Sequence, residues 1–303
     1  MPANHCGLQI VAAAIAFAAV AAVSAAQLPL EPQHNSGTSI TAAFEGWYPN
    51  EDGTFTILLG YFNRNLREPI DIPVGPDNHV DPGGPDQAQP THFLPGRQWG
   101  VFTITVPKDF GQEKKITWTI TANGKTTTLP VNLNPLYVVA PFIDATGNTP
   151  PFIGFQAEGS FVQGPPRKIA NSLKATAGSP LPLTIWVADD AKLPPSASAG
   201  AGRGRRGNRA PVSVIWSKFR GPGDVKFSND RPPVEKAEFK APPPATYTGK
   251  SDTSATFSQP GEYILEVVAN DYSGFGGGGF QCCWTTAQVK VSVQGAGAPA
   301  GSR

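Results

Sequence analysis

Two groups of residues in this chain have the types and spacing that chemistry requires. The first lies in one loop, where Asp77, His79, Asp81, Asp86 and His92 fall within sixteen positions. A His-x-Asp pair followed by a second His imitates the two-histidine, one-carboxylate set that holds non-haem iron. In iron oxygenases those ligands come from separate strands, whereas here all share one Pro- and Gly-rich loop, and Asp-Pro and Asn in such a loop also simply make turns. The second group is Asp189, Asp190, Asn270 and Asp271. Its oxygens suit Ca²⁺, which takes six to eight of them. The same residue types also end strands and start turns without any ion.

Three further stretches qualify as candidate sites. Arg203, Arg205, Arg206 and Arg209 stand among small residues between Leu193 and Pro211. Four positive charges there can hold a polyanion through counterion release, or simply decorate a solvated loop. The run contains G-x-G-x-x-G at Gly202, Gly204 and Gly207, but no helix pattern follows to meet a pyrophosphate. Tyr272 and Trp284 flank a four-glycine segment, Gly276 to Gly279, and are candidate binding aromatics. Between them stand Cys282 and Cys283, either free, bridged to another chain, or joined as a vicinal disulfide that would require the strand to break there. Gly249-Lys250-Ser251 resembles the end of a P-loop but lacks its first Gly, and no G-x-S-x-G elbow is present.

These residues must be positioned by strands. Period-two alternation recurs along the chain between Gly, Pro, Asn and Asp clusters, and no long helical pattern interrupts it. Phe55, Ile57, Leu59 and Tyr61 share one face, as do Phe102, Ile104 and Val106. Ile116, Trp118 and Ile120 alternate with threonines up to Asn123-Gly124, and Leu129, Val131 and Leu133 follow, which is a tight hairpin. Later come Leu181 to Val187, Val212 to Trp216, Tyr263 to Ala269 and Ala287 to Val293. The fold class expected is all-β, two antiparallel β-sandwich domains after a signal peptide.

The boundaries follow composition. Residues 1–26 read as a signal peptide, with an apolar run from Leu8 to Val23 and Ser24-Ala25-Ala26 before the cut, although a transmembrane anchor is the rival and no Lys or Arg precedes the run. Residues 27–37 are an N-terminal tail, 38–145 the first sandwich and 146–170 linker or edge segments. Residues 171–294 form the second sandwich with a flexible 193–211 insertion, and 295–303 a disordered tail. The 33 Gly and 32 Pro, about a fifth of 303 residues, mostly punctuate strands. With 24 Lys plus Arg against 23 Asp plus Glu, the chain as a whole is neither a strongly basic nucleic-acid binder nor a strongly acidic tail protein, and no nucleic-acid partner is expected.

The second sandwich resembles a known family. Ala255-Thr256-Phe257, then Pro260-Gly261-Glu262-Tyr263, then Val289-Lys290-Val291-Ser292-Val293 resemble the last three strands of PKD-type and related immunoglobulin-like domains of secreted bacterial proteins. The resemblance implies a tyrosine-corner role for Tyr263 and a buried aromatic role for Trp216, though the B–F cysteine pair of antibody domains is missing. It also implies that the connections after Asp189-Asp190 and Asn270-Asp271 leave one end of the domain, while the register of the last strand points Cys283 inward and Cys282 and Trp284 outward. Trp186 is expected on an outer face too, and Trp47 and Tyr48 in turns.

The functional expectation is an exported, non-catalytic protein for binding, adhesion or assembly at the cell envelope, with an envelope protein or polysaccharide as partner. No organic cofactor and no transmembrane span in the mature chain are expected, and Ca²⁺ is the one ion the oxygens suit. The alternative is a metal-dependent or hydrolytic enzyme using the Asp77 to His92 loop.

Overall fold

The computed structural model describes residues 34–192, 210–271 and 282–295. All regular structure there is β, apart from one 3₁₀ turn at Pro135–Tyr137. Among the described residues no helix is long and apolar enough to cross a membrane.

The first sandwich sets β1 (Ile40–Pro49), β2 (Phe55–Asn63) and β6 (Gly96–Val106), ordered β1-β2-β6, over β4 (Asn78–Asp81), β7 (Ile116–Ala122) and β8 (Lys125–Val131), ordered β4-β7-β8. A short pair, β3 (Ile70–Asp71) with β5 (His92–Phe93), lies beside them. Asn123 and Gly124 both take positive φ, 49° and 74°, and join Ala122 to Lys125 as the two-residue turn demands. Alternation on β7 then sends Ile116, Trp118 and Ile120 into a core shared with Ile57, Leu59, Tyr61, Phe102 and Ile104. Phe102 meets the Trp118 ring edge-on at 4.9 Å. Burial of each such side chain stabilises the fold by roughly 1.5–3 kcal/mol. Trp47 and Tyr48, expected in turns, instead lie within β1, and Tyr48 is buried, because the strand runs on past a bulge between Phe44 and Gly46.

The second sandwich opposes two larger sheets. One contains β10 (Phe161–Gln163), β9 (Phe152–Gly154), β12 (Leu181–Asp189), β16 (Tyr247–Phe257) and β14 (Val225–Phe227), in that order, with β15 (Glu235–Lys236) also against β16. The other orders β11 (Ile169–Thr176), β18 (Trp284–Gln294), β17 (Gly261–Asn270) and β13 (Ser213–Arg220). The chain thus crosses between β10 in one sheet and β11 in the other, where β11 runs parallel to the last strand. This is an immunoglobulin-like topology. Tyr263 is fully buried and donates its OH to Gln259 O at 2.8 Å, and Trp216 is buried on β13. Segment 152–163 supplies edge strands of this second sandwich.

The two sandwiches share an interface. Phe219, from β13, is buried in the first core, and its carbonyl accepts from Thr91 N. Arg220 next to it grips Asp86 with two nitrogens at 2.8 and 3.1 Å and donates its Nε to Gln89 O at 2.7 Å. Lys218 reaches Asp71 at 3.1 Å, and Thr103 of β6 donates to Pro166 O. Thr91, Asp86 and Gln89 thus tie the long 73–96 connection of the first sandwich to β13 of the second.

Candidate functional site

The register of the second sandwich brings four strand ends together. Ser213 pairs with Asn270 and Asn270 with Trp284, while β12 stops at Asp189, so the residues flanking segments 193–209 and 272–281 share one end. Asp189, Asp190, Asn270 and Asp271 sit there, each buried to nine-tenths or more. Their partners differ. Asp190 accepts from Thr149 N and Thr149 Oγ1, both at 3.0 Å, and from Lys192 N at 3.0 Å, with the Lys192 ammonium 3.6 Å away. Asp271 accepts from Asn148 Nδ2 at 2.5 Å. Asp189 accepts from Ala191 N at 2.8 Å through one oxygen only. Burial, reinforced by the charges of Asp271 and Asp190 and opposed by the Ala191 N–H, pushes the Asp189 carboxyl up to about 7.

Most of the floor of this end comes from the 146–170 stretch expected to be linker or edge segments, with Asp144 just before it. Asp144 accepts from the backbone N–H groups of Thr146 and Asn148, which closes a turn and presents the Asn148 amide to Asp271, 123 positions away. The Asn148 carbonyl then lies 3.3 Å from Cys283 Sγ. Nothing local in Asn-Thr-Pro-Pro announces such a partner. Cys282 and Cys283 are joined by a disulfide with a cis peptide between them, so that sulfur contact involves no thiol proton. Thr285 adds a further tie, donating to Pro151 O and accepting from Gly164 N.

Two expectations need correction. Cys282 and Trp284 do not face solvent: they are 4% and 5% exposed. Trp284 lies on the outer face of its sheet, but the first sandwich covers that face, and a Cβ at Gly100 would come within 3.2 Å of the indole. Trp284 is therefore a packing residue. The Asp77 to His92 loop also fails to gather ligands. His79 bonds Pro76 O at 2.9 Å and faces Asp81 at 3.4 Å, His92 bonds Asp71 at 2.9 Å, and Asp86 is held by Arg220. Burial works to raise Asp71, but His92 and Lys218 together hold it below the usual range. For Asp86 the Arg220 hydrogen bond is the largest cause of a lowered value. Of the loop's charges, Asp86 serves the joint between the sandwiches.

Among the described residues no three His, Cys, Asp or Glu side chains gather as a metal set, at the loop or at the carboxylate end. The carboxylate end fits a hydrogen-bonded floor better than an ion cage, because Asp190 and Asp271 already spend oxygens on N–H and O–H donors. Arg203, Arg205, Arg206, Arg209 and Tyr272 lie outside the described residues.

Comparison with known proteins adds little. No protein-family model matches the chain, and no curated protein matches it. Solved structures align only distantly. An endo-fucoidan hydrolase of glycoside hydrolase family 107 is 10% identical at a TM-score of 0.24, with 88% of this chain covering 28% of that one. Domains 4 and 5 of the surface-layer protein SbsC are 11% identical at 0.23, covering 84% of this chain and 98% of that one. The D00-D0 domain of intimin is 11% identical at 0.24, covering 84% of this chain and all of that one. The chain spans less than a third of the hydrolase, and likenesses this distant decide nothing about activity. The immunoglobulin-like assignment rests on the strand order itself.

Proposed function

We propose that this chain is an exported, non-catalytic binding or adhesion protein of the cell envelope. It would present segments 193–209 and 272–281 from one end of the second, PKD-type sandwich. One observation supports this above others: the residues that flank both segments share one buried floor, built from Asp190, Asp271, Asn148 and the Cys282–Cys283 pair. Binding residues carried on loops that a rigid β-scaffold positions are a recurrent arrangement. Arg203, Arg205, Arg206 and Arg209 give that end a cationic segment suited to an acidic polysaccharide or an acidic protein surface.

The test is capture of native envelope material by residues 27–303, with and without residues 200–208. The deletion leaves both floor and core intact, so the melting temperature should stay unchanged while capture falls and loses its salt dependence. Unchanged capture would overturn the proposal.

A further inference from the structure

The first sandwich carries an apolar strap along one edge. After β8 the chain makes the 3₁₀ turn Pro135–Tyr137 and then runs beside β1, where Val138 bridges Trp47. The Tyr137 ring tilts against Phe44 at 5.3 Å, and Phe142 meets Tyr48 edge-on at 5.5 Å. Trp47 holds the start of the strap by donating its indole N–H to Asn134 O at 2.8 Å. β1 is the edge strand of its sheet, and among the described residues no strand pairs with the far side of the strap.

Three features mark this strap as an interface. Leu136 is 86% exposed, and Tyr137, Val138 and Ile143 are 50–52% exposed, so four of the six large exposed hydrophobics among the described residues fall within eight positions. Apolar side chains scattered singly over a surface are ordinary, whereas a cluster marks a contact. No charged residue stands between Lys125 and Asp144, so the strap lacks the charges that commonly protect an exposed edge. The exposed parts of the four residues come to roughly 400 Å², a patch of the size that is often functional on a single chain.

We propose that this strap is the contact between two copies of this chain, related by a twofold axis. Two such patches face to face remove roughly 800 Å² of apolar surface from water, close to the non-polar share of a standard interface of about 1,600 Å². A charged partner finds nothing in the strap to pair with, and an identical strap brings no like charge against it. A twofold contact also closes on itself, so the dimer uses up the patch and does not propagate. The strap includes neither segment 193–209 nor segment 272–281, so the dimer stands or falls apart from the binding role proposed above.

The test is sedimentation equilibrium of residues 27–303 from about 1 to 100 μM. The expected result is a monomer–dimer equilibrium with a dissociation constant in about the micromolar range. Leu136→Lys, at the most exposed of the four positions, sets like charges into the twofold contact and should weaken dimerisation about tenfold or more. The same variant should leave the melting temperature of the dilute monomer unchanged, because Leu136 packs little. Leu66→Lys, at a 52% exposed position outside the strap, is the control and should dimerise like wild type. The proposal is overturned if the chain stays monomeric across that range, if its mass keeps growing beyond a dimer, if Leu136→Lys leaves the dissociation constant unchanged, or if Leu66→Lys weakens the dimer equally. A monomeric chain that floats with phosphatidylcholine vesicles would give the strap to a lipid surface and overturn it as well.

Discussion

Glu266 offers the sharpest test of how the two sandwiches are joined. It lies on the outer face of β17, between Ser217 of β13 and Gln288 of β18, yet it is only 8% exposed. Its Oε2 has no hydrogen-bond partner among the described residues. Its charge is felt by Tyr61 of the first sandwich, whose hydroxyl is raised chiefly by burial and further by Glu266. Burial alone lifts Glu266 from 4.5 to about 8. The raised value means that the folded state holds a proton the unfolded state releases. Below pH 4.5 both states are protonated and there is no penalty; between 4.5 and 8 stability falls by about 1.4 kcal/mol per pH unit; above 8 the loss levels off near about 5 kcal/mol. Glu266→Gln keeps the shape and removes the charge. Thermal unfolding of wild type and variant from pH 5 to 8.5 should therefore show near-equal melting temperatures at pH 5. By pH 8.5 the variant should melt about 10–20 °C higher, taking about 2–4 °C per kcal/mol in chains of this class. Asp189, raised in the same sense, is common to both proteins and cancels in the difference. Asp71 and Asp86 are lowered, so their stabilisation is present above about pH 4 and is lost only below it, outside this range. A gap that does not widen with pH would refute the claim that Glu266 is buried without a partner.

Other perturbations probe other links in the chain. Phe219→Ala empties a pocket in the first core from a strand of the second sandwich and should cost about 3–5 kcal/mol, dividing one calorimetric transition into two. Gly221→Ala would place a Cβ 2.1 Å from the Tyr263 ring at a φ of +147°, and chemical denaturation should show a loss of at least about 2 kcal/mol. Tyr263→Phe removes only the bond to Gln259 O and should cost about 1 kcal/mol in the same assay. Asn148→Ala takes the amide from buried Asp271, for a loss of about 1–3 kcal/mol and faster amide exchange at the ends of β12 and β17.

What could be read from sequence, and what could not, divides by the distance over which a residue is specified. The Asn123-Gly124 hairpin was legible because two adjacent residues with positive φ suffice to make it. The Tyr263 corner was legible for a similar reason, since its partner Gln259 is four positions away. Alternation also assigned a face correctly: Trp284 does lie on the outer face of its sheet. The error was to equate outer with exposed. Period two says which side of a strand a residue occupies and is silent on what lies beyond that side. On β17 and β18 the outer face carries Glu266, Val268, Thr286 and Gln288, all buried, because the two sandwiches share an interface there. A row of mixed polar and apolar residues reads as solvated surface in sequence, and it is also the composition of an interface between domains. The Asp77 to His92 loop shows the converse. Its acids and histidines are neighbours in sequence, but β4 and β5 carry His79 and His92 to different partners, and the loop's charge is spent on Arg220, 134 positions from Asp86. Spacing along the chain brings ligands together only within one strand or one turn. Beyond that reach the sheet order decides, and here it joined domains where the spacing suggested a metal.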